Sequence, residues 1–158
     1  MSREQSLRRG AALMVLGALI YLIYAVVFFF RSFTGGGFEI GVATINGVTA
    51  EQVSELNPAI MDYIAHLHVA TAGFIGATAI AVGGLAWYGV RAGSWWAWVT
   101  AVVSPVLGLV VALPMHYMGL FEHNWVSHLG PIYLGSIIYV VGVVVAVIGL
   151  AQKAPAAT

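Results

Sequence analysis

Five histidines are the residues of this 158-residue chain best equipped for chemistry. Imidazole ligates transition metals, carries protons near neutral pH and holds haem iron, and a polar ring at membrane depth is costly unless it has a task. His66 and His68 enter the second of four apolar segments, His116 leaves the third, and His123 and His128 precede the fourth. Successive spans alternate in direction, so all five rings fall at one level, on one side of a membrane. Asp62 lies four residues before His66 and shares its helix face. Three imidazoles from the borders of three spans, His66, His116 and His128, with Asp62 as a fourth ligand, match donor sets used by Zn(II), Cu(II) and non-haem Fe.

The other polar groups at this level fill supporting roles. His66 and His68 cannot both face one centre, because residues two apart on a helix differ by about 200°. The small-residue stripe that runs through His66 assigns it inward and leaves His68 peripheral, in water or on a proton relay. Glu122-His123 sets an acid beside an imidazole in the loop from Gly119 to Ser127, where the carboxylate favours the protonated ring and the pair can assist the centre. Tyr24 carries a phenol toward the outer half of the bundle. Haem b is the competing ligand for the same histidines, with Gly73, Gly76, Gly108 and Gly135 leaving room for a macrocycle, and a haem at the span ends would be shallow. The plain alternative to any cofactor is that boundary histidines bond to loops, headgroups and water.

The elements that must position these groups follow from composition. The chain is 61% hydrophobic and 8% charged, with mean hydropathy +0.94, which places it among polytopic membrane proteins. Apolar runs at residues 10–30, 64–90, 95–117 and 129–151 each approach the ~20 residues a helix needs to cross a bilayer core. The expected fold is an all-α integral membrane protein, a single domain over 1–158 built as an antiparallel four-transmembrane-helix bundle. Arg3, Arg8, Arg9, Arg91 and Lys153 gather at one end and Arg31 alone at the other, which predicts a cell-membrane protein with both termini cytoplasmic. The basic, then apolar, N-terminal segment reads as a retained first span. Phe28, Phe29, Phe30 and Arg31 stand where a secretion signal would carry small residues for cleavage. With no cysteine, disulfides, thiolate ligands and thiol nucleophiles are excluded.

Residues 32–62 form the expected extracytoplasmic cap. Gly35-Gly36-Gly37 opens it flexibly, and Asn46-Gly47 between Ile45 and Val48 is a favoured two-residue hairpin turn. Thr49 followed three residues later by Gln52 is a capping box for a short helix. Asn57-Pro58 starts another, which meets no breaker before Gly83-Gly84 and extends to about Tyr88.

Small residues mark where spans approach, since lipid tails supply no hydrophobic force between helices. Gly10, Gly17 and Tyr24 recur at sevens in the first span, and His128, Gly135, Gly142 and Gly149 do so at the fourth. His66, Ala70, Gly73, Ala77, Ala81 and Gly84 mark the expected seam of the second, and Ala97, Ala101, Ser104, Gly108, Ala112 and His116 that of the third. A further arc on the second span, Ala72, Gly76, Ala79 and Gly83, suits a membrane-protein partner or a second copy, the mark of an accessory or assembly subunit. Pro105 and Pro114 bend the third span and can widen a cavity for a quinone, a lipid or an isoprenoid. There is no phosphate-binding glycine loop, HExxH, GxSxG or basic patch, so nucleotide, hydrolase and nucleic-acid functions have no support. The spans also lack a buried Lys, Arg, Asp or Glu of the kind that drives ion pumps.

Overall fold

The computed structural model describes residues 1–34 and 37–153. The flexible opening expected at Gly35-Gly36 and the tail from 154 to 158 lie outside the described residues. Helix α1 (Arg3–Thr34) leads into a cap of strands β1 (Val42–Ile45) and β2 (Val48–Thr49) and helix α2 (Ala50–Leu56). Helix α3 (Pro58–Gly84) continues through a π-helical turn, Leu85–Val90, into a tight connection to α4 (Trp95–Tyr117). Strand β3 (Glu122–His123) and the one-turn helix α5 (Trp125–His128) precede α6 (Gly130–Ala151). Four helical stretches, α1, α3 with its π-helical turn, α4 and α6, are long and apolar enough to cross a membrane, which marks a mostly helical multi-pass membrane protein.

The α1–α6 seam is the backbone of the bundle, and it runs along the glycines spaced at sevens. A Cβ on Gly142 would stand 2.6 Å from the Met14 nitrogen and 2.8 Å from the Gly10 carbonyl oxygen, so only glycine lets the two main chains come this close. Tyr21 closes the seam by donating to the Ile132 carbonyl (3.1 Å) and sharing a hydrogen bond with the Ser136 hydroxyl (2.6 Å).

Helix α3 packs on α1 with the face opposite to the one expected. Ala72, Gly76, Ala79 and Val82 are buried, with Gly76 against Ala25 and Leu22 and Gly83 against Ala18. The stripe through His66, Gly73 and Gly84 looks outward, and a Cβ at Gly73 or Gly84 would meet nothing. Small residues show where a helix can be approached, and α3 has two such arcs; α1 uses the one the sequence reading offered to a partner. The π-helical turn takes more residues per turn than an α-helix. Val82, Ala86 and Val90, four apart, therefore stay on the buried face with Met14, Ala97, Ala101, Tyr139 and Ala146.

At its N-terminal end α4 is tied to α6 by Trp98 Nε1, which donates to the Val143 carbonyl (3.2 Å), and by the Tyr139 hydroxyl, which donates to the Ala101 carbonyl (2.8 Å). Pro105 has no N–H for that carbonyl, so Tyr139 meets an acceptor the proline leaves free. Further along, Ser104, Gly108 and Ala112 face a cavity instead of a neighbouring helix.

In the cap, β1 and β2 pair antiparallel with Ile45 opposite Val48, turning through Asn46 (φ 50°) and Gly47 (φ 80°). The Thr49 hydroxyl accepts from the Gln52 amide (3.3 Å) while Gln52 Oε1 accepts from the Thr49 amide (2.9 Å), the expected capping box. Asn57 Oδ1 accepts from the Ala59 amide at the start of α3. The connection between α4 and α6, expected to be plain loop, instead adds β3 to the other edge of β1, giving the order β2-β1-β3. A two-residue strand has no periodicity to reveal it; the cap supplies the edge that orders it.

Candidate metal centre

Strand β3 and helix α5 lay the α4–α6 connection against the segment leading into β1, and this juxtaposition assembles a cluster from distant residues. His128, 1% exposed, has Nδ1 2.6 Å from the Ile40 carbonyl oxygen. A carbonyl only accepts, so that nitrogen carries the proton. His116, on the last turn of α4, has Nδ1 3.1 Å from the Ala112 carbonyl, which fixes its tautomer in the same way. The two Nε2 atoms face each other at 2.9 Å, and with both rings neutral each presents a lone pair to the other.

Two lone pairs at that distance require a positive centre between them, either a shared proton or a metal ion. Glu39 Oε2 lies 3.6 Å from His128 Nε2, and the ligand atoms of Glu39, His116 and His128 all fall within 4.8 Å of one another. At metal–nitrogen bonds of about 2.0–2.1 Å, a tetrahedral ion holds two nitrogens roughly 3.3 Å apart, so the pair need open by only a few tenths of an ångström. Nδ1–H donated to a carbonyl is also the usual way a metal-bound histidine is oriented.

His123 borders the pair, its ring centroid 5.2 Å from that of His128 and 5.7 Å from that of His116. Its Nε2 is buried without a hydrogen-bond partner. Phe121 stands edge-on to His116 at 5.5 Å and walls the cluster with apolar surface. Burial pushes the His128 pKa below its ordinary value; the Ile40 carbonyl and the Glu39 charge push it back up, and the neighbouring His116 and His123 lower it further. The balance favours neutral imidazole, the form that ligates metals.

Gly41 makes the approach of the cap possible. It adopts φ +80°, and a Cβ there would lie 2.6 Å from Ser127 Oγ and 3.0 Å from the His128 nitrogen. Its carbonyl accepts from the Asn124 amide (2.7 Å), so Glu39 and Ile40 are held over His128 by backbone contacts on both sides.

The residues singled out from sequence divide clearly. His116, His128 and His123 come together. Glu122, next to His123 on β3, is exposed and accepts from the Thr44 hydroxyl (3.4 Å). Asp62 and His66 lie exposed on the outward arc of α3, where His66 stacks on Tyr63, and neither joins the His116–His128 pair. His68 is the inward member of its pair, 4.9 Å from the Phe28 ring and in a recess with Arg31, Ser32 and Phe38, so the expected order of His66 and His68 is reversed. The cause is the inverted face of α3. Tyr24 packs with Phe28, Ile40 and Ile132. Glu39 was not singled out, since it sits in an irregular segment with no spacing to tie it to a histidine.

The geometry does not favour haem. An iron between two axial imidazoles needs their nitrogens roughly 4 Å apart, twice a metal–nitrogen bond, with a macrocycle slotted between the rings. Here the His116 and His128 ring centroids are 4.9 Å apart with the nitrogens in direct contact, and His123 and Phe121 lie against them. Comparison with known proteins adds no relative: no family model, no curated protein and no solved structure matches the chain.

Proposed function

We propose that this chain is a multi-pass membrane protein that binds one divalent transition metal at the capped end of its bundle, through His116, His128 and Glu39 with His123 beside them. The observation that carries this reading is the pair of Nε2 atoms facing each other at 2.9 Å while both Nδ1 atoms are committed to backbone carbonyls. Two histidines and a carboxylate are a donor set used by Zn(II) and by non-haem Fe(II), and a third imidazole also suits Cu(II). A Cu or Fe occupant makes the centre a redox site; a Zn occupant makes it a Lewis acid or a tie between the cap and α4. With the cationic ends of the spans in the cytoplasm of a cell, the centre faces outward.

Equilibrium dialysis of the purified protein against Zn(II), Cu(II) and Fe(II) tests the proposal. One ion should bind per chain, His116→Ala and Glu39→Gln should weaken it, and His66→Ala should leave it unchanged. Binding that ignores His116, or depends on His66, defeats the assignment. The accessory-subunit reading keeps one observation in its favour, the outward arc of α3 on which Gly73 and Gly84 meet nothing. That reading expects Gly73→Leu to change the oligomeric or complexed state in mild detergent while metal binding stays intact.

A further inference from the structure

Below the histidines the bundle does not close. α4 meets α6 through Trp98 and Tyr139 near its start, and its far end meets His128 through His116. Between these ties the four spans enclose a cavity of about 400 Å3 that is open on its lipid side. That volume lies in the range of small-molecule sites. Close-packed interiors rarely leave such space, because every wall atom facing a void loses its dispersion partners. The wall is built largely of aliphatic side chains, Val82, Leu109, Ile132 and Val140 among them, so water is a poor filling.

Several hydroxyls interrupt this wall: those of Tyr21, Ser136 and Tyr139 are hydrogen-bonded within the bundle, whereas those of Tyr24, Thr71, Thr78 and Ser104 have no partner among the described residues. Tyr24 is only 8% exposed, lines the cavity, and has no hydrogen-bond partner for its hydroxyl among the described residues. Ser32 and Thr100, elsewhere in the spans, bond back to the carbonyl four residues earlier at 2.9 Å. Thr71, Thr78 and Ser104, which also line the cavity, make no such bond among the described residues. An apolar guest would cover these hydroxyls and leave them without a partner, at a cost, so the site suits a guest with acceptor oxygens. The cavity extends to Ala112, one turn below His116, and to Ile132, one turn beyond His128.

We infer that this cavity binds a membrane-soluble quinone, its ring carbonyls accepting from Tyr24 and the neighbouring hydroxyls and its apolar tail leaving between the spans into the bilayer. An acyl chain would fill the aliphatic wall but leave the Tyr24, Thr71, Thr78 and Ser104 hydroxyls without partners. Quinone binding is independent of the metal: the cavity and its hydroxyls stand without an ion at the histidines.

The probe is a benzoquinone with a decyl side chain, titrated into the full-length protein in detergent and read by thermal unfolding and by quenching of tryptophan emission. Decylbenzene, with the same tail and ring but no carbonyl, is the comparison. A Cβ at Gly108 meets nothing, so Gly108→Leu fills the cavity without strain. The wild type should show saturable quenching and a rise in Tm with the quinone and little of either with decylbenzene. Gly108→Leu should abolish both responses, and Tyr24→Phe, which keeps the ring and removes the donor, should weaken binding by about tenfold, the worth of one good hydrogen bond. Absence of any quinone response in the wild type, equal responses to the two compounds, or full binding by Tyr24→Phe overturns the inference.

Discussion

Replacing Gly41 by alanine should detach the cap from the histidines while the four spans stay in place. At φ +80° an alanine costs about 1–2 kcal/mol in backbone strain. Its Cβ would also press on Ser127 Oγ at 2.6 Å and on His128 at 3.0 Å, an overpacking that costs about 1–3 kcal/mol. The hydrogen bond from His128 to the Ile40 carbonyl is worth about 1 kcal/mol net, so the strand gives way before the helix does. Glu39 leaves with it. Losing an orienting partner of a metal-bound histidine lowers metal affinity by about 10–100-fold, and loss of the carboxylate ligand places the expected drop at the upper end of that range. Zn(II) competition against a chromophoric chelator at neutral pH reads the change, and circular dichroism checks that the helices persist. Gly47→Ala is the control: it has the same φ of +80° but nothing near its Cβ, and should leave affinity unchanged. Wild-type affinity in Gly41→Ala, or an equal loss in Gly47→Ala, would refute the reasoning.

Tyr139→Phe should destabilise the protein by about 1–2 kcal/mol by stranding the Ala101 carbonyl, and the cost should shrink in a Pro105→Ala background, where an alanine N–H reclaims it; equal costs in the two backgrounds contradict the assignment. Gly142→Ala, whose Cβ would meet the Met14 nitrogen at 2.6 Å, should lower Tm and weaken the α1–α6 seam by about 1–3 kcal/mol, whereas Gly73→Ala should stabilise by up to about 1 kcal/mol through helix propensity alone. In the metal-free protein, His128 binds its proton less readily folded than unfolded. Stability should therefore be full above pH ~6.5 and fall as the pH drops through the lower folded value; melting curves across that window should lose this slope in His128→Gln.

Much of this architecture is legible in the sequence because it rests on local or periodic signals. The four spans, the Asn46-Gly47 turn, the Thr49-Gln52 box and the Asn57-Pro58 start all act within a few residues, and the α1–α6 seam follows glycines spaced at sevens. The face of α3 escaped because two arcs of small residues satisfy the same packing rule, and only the presence of Ala18, Leu22 and Ala25 on α1 chooses between them. That single inversion accounts for the outward position of His66 and Asp62 and for the inward turn of His68. Of the histidine–glutamate cluster, His116 and His128 could be found from their level at span ends. Glu39, the Ile40 carbonyl and the flanking position of His123 depend on β1 pairing with β3 across about eighty residues of sequence, and no spacing encodes such a contact.

X-ray absorption spectroscopy of the metal-loaded protein tests the central claim most directly. The expected spectrum shows a first shell of nitrogen and oxygen at about 2.0–2.2 Å with the outer-shell scattering of at least two imidazoles, reduced by one imidazole in His116→Ala and unchanged in His66→Ala. A shell of oxygen alone, or one whose imidazole scattering survives the loss of His116, would contradict it.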